Sequence, residues 1–248
     1  MKDVAIITGA SRGIGAATAR LLAGRGYAVC VNYRRSEAAA KALVDDIRRS
    51  GGEAIAVAAD VAVESEALAL FEAVDRELGR LTALVNNAGI LEKQSTLAEM
   101  DVGRWQRVLA TNVVGTFVCA REAVKRMSTK RGGAGGAIVN VSSRASTLGS
   151  PFEYVDYAAS KGAVDSMTVG LAKEVAAEGI RVNAVRPGLI LTDIHASGGD
   201  PGRVERLRGA VPMGRGGEAM EVANAIAWLL SDESGYLTGV LVDVSGGR

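Results

Sequence analysis

The sequence predicts a doubly wound α/β fold, with a mostly parallel seven-stranded sheet and helices on both faces. Two observations carry this expectation. Short β-branched runs alternate along the chain with longer, alanine-rich stretches of helical period. The first run, Val4-Ala5-Ile6-Ile7, passes directly into a glycine-rich turn and then into a helical pattern opening Ala16-Ala17-Thr18. At 248 residues the chain can build one large core. It carries no internal repeat, low-complexity tract or linker, so one domain over 1–248 is expected.

Charge and composition narrow the partners. The 29 basic and 28 acidic side chains nearly cancel and form no basic block, which argues against nucleic acid or an anionic membrane surface and for a small molecule. Cys30 and Cys119 sit among apolar neighbours, as buried reduced thiols do, so neither a disulfide nor a metal site is expected. The apolar run at the start stops at Thr8-Gly9, too short for a signal peptide, and no stretch approaches the roughly 18 apolar residues of a membrane span. A soluble cytoplasmic protein is expected.

The turn Thr8-Gly9-Ala10-Ser11-Arg12-Gly13-Ile14-Gly15 lies between the first strand and the first helix. Its glycines let the chain turn sharply and let backbone amides approach a pyrophosphate at a helix N-terminus, the signature of a Rossmann dinucleotide site. The second strand, 28–32, ends in Tyr33-Arg34-Arg35 before a helix over 36–50. Folds of this type usually carry an acid there for the adenosine ribose hydroxyl. Arg34 and Arg35, with Arg12 in the turn, instead suit a 2'-phosphate, which favours NADP(H) over NAD(H).

A third strand, 54–58, runs into Asp60-Val61, where a carboxylate past a strand's end is placed for an adenine amine, and a helix over 65–78 follows. The fourth strand, 83–85, stops at Asn86-Asn87-Ala88-Gly89, read as close packing beside a cofactor with amides tying strands together. Asn112 interrupts an apolar stretch of a long helix over 101–127, so a local helix distortion or an ordered water is expected there. Gly132 to Gly136 read as a flexible exposed turn before a fifth strand, 137–141, that delivers Ser142 and Ser143 to the ligand-binding edge.

Tyr157-Ala158-Ala159-Ser160-Lys161 then opens a helix expected to reach 178. A spacing of four puts phenol and ammonium on one helical face, where the cation favours the phenolate and lowers the tyrosine pKa toward working pH. Beyond a strand over 181–185 and the turn at Pro187-Gly188, residues 189–212 form a candidate substrate lid with a short helix over 203–208. A helix over 219–230 and a strand over 240–244 close the chain. Within the lid, His195 reads as a solvated loop residue.

Taken together, the glycine turn, Asn86-Asn87-Ala88-Gly89, Asn112, Ser143, Tyr157 with Lys161, and Pro187-Gly188 resemble the short-chain dehydrogenase/reductase family over nearly the whole chain, with 3-oxoacyl-ACP reductase-like and glucose dehydrogenase-like members as similar types. The resemblance implies an NADP(H)-dependent oxidoreductase in which Tyr157 is the acid/base, Ser143 holds the substrate oxygen, Lys161 lowers the tyrosine pKa and binds the nicotinamide ribose, and Asn112 anchors a water linked to Lys161. It assigns cofactor contacts to Gly9, Ser11, Arg12, Gly13, Ile14 and Gly15 of the turn. Tyr33, Arg34, Arg35, Asp60 and Val61 would surround the adenosine; Asn87, Ala88 and Gly89 the middle; and Tyr157, Lys161, Pro187, Gly188, Ile190 and Thr192 the nicotinamide. A homotetramer built on the helices of Asn112 and Tyr157 is also implied.

Thirteen residues separate Ser143 from Tyr157, one more than the commonest family spacing, which leaves Ser142 as a competitor; the second serine of the pair matches the usual position. Tyr154 competes with Tyr157 but has no lysine one turn on. Two other readings use the same residues: a non-catalytic NADP-binding regulator or scaffold, and a lyase or epimerase with an internally recycled nicotinamide. The substrate class stays open between an oxoacyl thioester, a sugar or polyol, and a small ketone. Replacing Arg34 should raise the KM for NADPH far more than that for NADH; equal effects would contradict the phosphate assignment.

Overall fold

The computed structural model describes residues 2–248. Its centre is a sheet of seven parallel strands in the order β3-β2-β1-β4-β5-β6-β7. The strands are β1 Val4–Ile7, β2 Ala28–Tyr33, β3 Glu53–Ala58, β4 Ala83–Asn86, β5 Gly136–Val141, β6 Ile180–Pro187 and β7 Leu241–Val244. β1 pairs with β2 on one side and β4 on the other, so the winding reverses there and a crevice opens beyond the strand ends, the usual ligand position in such sheets.

Alternate strand residues serve the two faces. Ile7, Val29, Val31 and Val139 join one apolar cluster, under α1 Gly13–Gly24, α2 Glu37–Arg49 and α10 Ala219–Leu230. Ile6, Cys30, Leu84 and Ile138 join the other, under α3 Glu64–Glu77, α5 Gly115–Met127 and α7 Val155–Val175. Strands buried on both faces must be apolar almost throughout, and this explains the continuous β-branched runs. Cys30 and Cys119 are buried free thiols in the second cluster; burial pushes the Cys119 thiol up to about 12, so neither is poised as a nucleophile.

The long helix expected over 101–127 is two helices, α4 Val102–Leu109 and α5, joined by a π-helical turn at Ala110–Val114. The wide turn contains Asn112, so the expected distortion is present. The α7 helix stops at Val175, short of 178, and gives way to the 3-10 turn Ala176–Glu178. In the glycine run at 132–136, Gly132 is exposed as expected, whereas Gly133, Gly135 and Gly136 are tightly packed where a flexible turn was expected. A Cβ on Gly133 would stand 2.2 Å from the Met127 carbonyl oxygen, and one on Gly136 2.4 Å from that of Thr82. Glycine is needed there because backbone crosses backbone.

One buried ion pair ties α4 to the start of α7. Arg104 donates through Nε and Nη2 to Asp156 at 2.6 and 3.1 Å and through Nη1 to the Lys93 carbonyl at 2.6 Å. Asp156 precedes Tyr157, so this fork fixes the first turn of α7 against the 90–99 loop. Removing one partner strands the other's charge. Arg104→Met should therefore destabilise the protein by about 3–5 kcal/mol, and adding Asp156→Leu should recover at least half of the loss. Denaturant titration of the single and double variants reads both; a harmless single substitution would contradict it.

Candidate active site

The glycine turn is clamped by side chains from three strands. Asn32, at the end of β2, accepts from the Gly9 amide at 3.1 Å, and its own amide donates to the Ala59 carbonyl at 3.1 Å. Thr8 Oγ1 accepts from the amides of Asn87 and Ala88, each at 3.0 Å. Asn87 Nδ2 donates back to the Thr8 and Gly9 carbonyls at 2.8 and 3.0 Å. A Cβ on Gly15 would lie 2.6 Å from Asn87 Nδ2, and one on Gly9, whose φ is +60°, 2.9 Å from Ala88 Cα. The turn is thereby held open toward a cavity of about 430 Å³.

That cavity is walled by Gly9, Ser11, Arg12, Gly13 and Ile14 on one side and by Tyr33, Arg34, Arg35, Asp60 and Val61 on the other. The turn and the cations around it fit a phosphorylated dinucleotide. Arg34 meets Asp60 at 3.3 Å, and Asp60 also accepts from the Ala62 amide at 3.0 Å, so this carboxylate already has partners. Arg12 and Arg35 are exposed and, among the described residues, have no ion-pair partner.

A second cavity, of about 440 Å³, shares Ile14, Asn87, Gly89, Thr192 and Ile194 with the first, so the two form one cleft. Ser143, Tyr157, Lys161, Pro187, Gly188 and Ile190 line it. Tyr157 and Ser143 line the same wall, while Lys161 Nζ stands 5.6 Å from the Tyr157 ring centroid and donates to the Val141 carbonyl at 2.7 Å. The two serines differ in their surroundings. Ser142 is buried, and its hydroxyl donates to the main-chain carbonyl of Lys161 at 3.2 Å; Ser143 Oγ accepts from the Ala145 amide at 3.1 Å.

Among the expected site residues, Asn112 and Gly15 sit behind the cavity walls. The Asn112 amide donates to the Ile90 carbonyl at 3.1 Å and Ser160 Oγ at 3.0 Å, and its oxygen accepts from the Ile90 amide at 2.8 Å. This side chain braces the Gly89 loop against α7, and Ser160 precedes Lys161. With both amide protons committed, a water held at Asn112 would have to donate to its side-chain oxygen or to its main-chain carbonyl, and the latter already accepts from Thr116 Oγ1 at 2.8 Å.

The family described as "Enoyl-(Acyl carrier protein) reductase" matches residues 9–248. An Escherichia coli K12 protein described as "Uncharacterized oxidoreductase YgfF" is 58% identical over 245 residues, covering 99% of each chain. The 3-oxoacyl-[acyl-carrier-protein] reductase FabG of Staphylococcus aureus Mu50 is 39% identical over 247 residues, covering 100% of this chain and 98% of that one. A doubly substituted Serratia marcescens short-chain dehydrogenase/reductase superposes with a TM-score of 0.91 at 31% identity, covering 99% of this chain and 97% of that chain. The chain belongs to the short-chain dehydrogenase/reductase family. It is an oxidoreductase of that family, with a seven-stranded sheet that is parallel throughout where a mostly parallel one was expected.

Within this family frame, three expectations change. Burial is the largest influence on Tyr157 and raises its pKa to about 12, against the lowering effects of the Ser143 hydrogen bond and the Arg203 charge. The expected lowering by Lys161 is absent from the free protein, because that ammonium is itself buried and its pKa falls to about 8. His195 is not solvated: it is buried on α8 Ile194–Ser197, with Nε2 2.9 Å from the Ile190 carbonyl oxygen. Tyr154 is also buried, and its hydroxyl donates to the Gly198 carbonyl at 3.1 Å, which makes it an anchor of the lid.

The lid has two short helices, α8 and α9 Arg203–Leu207, where one was expected. Facing it, the 144–156 loop contains a short helix, α6 Ala145–Leu148, and takes up its length through left-handed backbone at Gly149, Ser150 and Phe152. Asn32, Arg203 and Arg248 were missed as lining residues. The asparagine at the end of β2 offered a signal, a polar side chain in an apolar run, but the two arginines had none in linear spacing.

Folded Lys161 releases its proton near 8 rather than at the ordinary lysine value of 10.5, so between these pH values the folded state binds fewer protons than the unfolded chain. The cost of burying the ammonium is full below pH 8 and is relieved as pH rises to about 10.5. Relative to Lys161→Met, wild type should gain roughly 3 kcal/mol of stability across that window. Paired denaturant titrations at both ends check the sign; a constant difference would contradict it.

Proposed function

We propose that the protein is an NADP(H)-dependent oxidoreductase that interconverts a carbonyl compound and its secondary alcohol. The observation that carries this reading is the convergence of Ser143, Tyr157 and Lys161 on one cavity that shares a wall with the cleft at the glycine turn. Arg12 and Arg35, with Arg34 beside Asp60, favour the 2'-phosphate and hence NADP(H). When bound, the cofactor supplies or accepts the hydride.

The chain's own residues position the substrate and move the proton. Ser143 holds the substrate oxygen beside the Tyr157 hydroxyl, which lines the same cavity. Burial keeps the Tyr157 phenol protonated, the form that gives a proton to the oxygen as it gains negative charge during reduction. In the oxidation direction Tyr157 takes that proton back. Lys161, its Nζ held on the Val141 carbonyl, holds the nicotinamide ribose, and its ammonium form is the one that stabilises the phenolate left after transfer. Pro187, Gly188, Ile190 and Thr192 form the wall on which the nicotinamide rests.

The 3-oxoacyl thioesters named for the Staphylococcus relative join sugars and small ketones as substrates to screen. Val102, Leu109, Val114 and Phe117 are exposed along α4, the π turn and α5, which supports the tetramer as the working assembly. The test is NADPH absorbance over a carbonyl panel. Net consumption by wild type is expected, and Tyr157→Phe should bind NADPH normally while turning over at less than about a tenth of the wild-type rate. Full turnover by that variant would overturn the assigned role.

A further inference from the structure

The cavity beside Tyr157 is more cationic than proton transfer requires. Its walls include Arg144, Lys161, Arg203 and Arg248 against one carboxylate, Glu153. Three of these cations are occupied. Arg144 pairs with Asp243 at 2.8 Å, Lys161 donates to the Val141 carbonyl at 2.7 Å, and Arg203 Nη1 lies 2.6 Å from Glu153 while its guanidinium stacks on Tyr154 at 5.0 Å. The guanidinium of Arg248 has, among the described residues, neither an ion pair nor a hydrogen bond.

Arg248 is nevertheless held in place. Arg144, the neighbour of Ser143, donates through Nε to the Arg248 main-chain oxygen at 2.7 Å. Just before it, the Gly246 carbonyl accepts from the Met213 amide at 3.1 Å, which ties the tail to the end of the lid. A cavity-lining guanidinium with neither an ion pair nor a hydrogen bond among the described residues has its donors free for a ligand. A planar oxyanion at Arg248 would supply the missing acceptors.

We propose that this cavity takes a small oxo acid, with the carbonyl at Ser143 and Tyr157 and the carboxylate received by Arg248. The assignment rests on the oxidoreductase reading above and names its substrate class. The carbonyl carbon gains a hydride from NADPH and the carbonyl oxygen gains the Tyr157 proton, which solvent replaces, so an oxo acid leaves as a hydroxy acid with its carboxylate unchanged. The cavity of about 440 Å³ must also seat the nicotinamide along Ile14, Asn87 and Gly89, which leaves room for only a few heavy atoms of substrate.

The test compares matched acids and esters on the full chain with NADPH: levulinate with methyl levulinate, and acetoacetate with methyl acetoacetate. Wild type should favour the acid in kcat/KM by roughly tenfold or more. That acid-to-ester ratio should collapse by about the same factor in Arg248→Met and be partly kept in Arg248→Lys. A wild-type preference for the esters, or an unchanged ratio in Arg248→Met, would overturn the proposal. Calorimetric titration of the NADPH-loaded protein with valerate and methyl valerate reads the carboxylate seat without turnover. Wild type should prefer valerate and Arg248→Met should not. If no carbonyl compound is reduced yet valerate is preferred, the oxidoreductase reading fails and the carboxylate seat stands; if valerate is not preferred, the seat itself is refuted.

Discussion

The site depends on the meeting of the β1 turn with the end of β4, backbone against backbone. Gly9 and Gly15 lie so near Ala88 and Asn87 that a single methyl group would collide at either position. Thr8, Asn32 and Asn87 close the resulting gaps in backbone hydrogen bonding, because strand ends that stop short of a neighbouring strand leave donors and acceptors to be satisfied. The cleft exists because these polar side chains, rather than bulk, fill the switch point. Its two halves share the same short wall, so whatever holds the dinucleotide also limits the space left for substrate.

The wall that carries Tyr157 and Lys161 depends on a second layer of contacts. The π-helical turn presents Asn112 both to the Gly89 loop and to Ser160, while Arg104 grips Asp156 immediately before Tyr157. Two polar contacts therefore hold the first turns of α7, one just before Tyr157 and one just before Lys161. Such buried groups are costly unless fully satisfied, and when satisfied they admit one geometry. The phenol and ammonium consequently meet the cavity in a fixed orientation, each with its proton affinity shifted by burial in the direction that favours its neutral form.

The substrate side is organised by ion pairs between segments far apart in the chain. Glu153 answers Arg203 and Arg206, Tyr154 reaches Gly198, and Arg144 ties the tail residue Arg248 to the loop that carries Ser143. Linear spacing contains no trace of these contacts. His195 shows the difficulty, since a lone histidine in a polar, glycine-rich stretch reads as solvated, yet the stretch folds back as a lid and buries it. Gly133, Gly135 and Gly136 failed in the same way, because composition suggested looseness where close backbone crossing was the reason for glycine.

By itself the sequence determined the alternating elements, the glycine turn, the pairing of Tyr157 with Lys161 and the absence of an acid after β2, because each is a local pattern whose period or spacing matches a single element. Element ends fell within a few residues of those observed, and α10 coincided with its expected range. Only the tertiary structure decided between the environments of Ser142 and Ser143, turned Tyr154 and His195 into lid contacts, and left Arg248 without a counter-ion. Those outcomes depend on which charges and carbonyls arrive from distant segments. Burial and electrostatic pairing are properties of that assembled neighbourhood rather than of any stretch of chain.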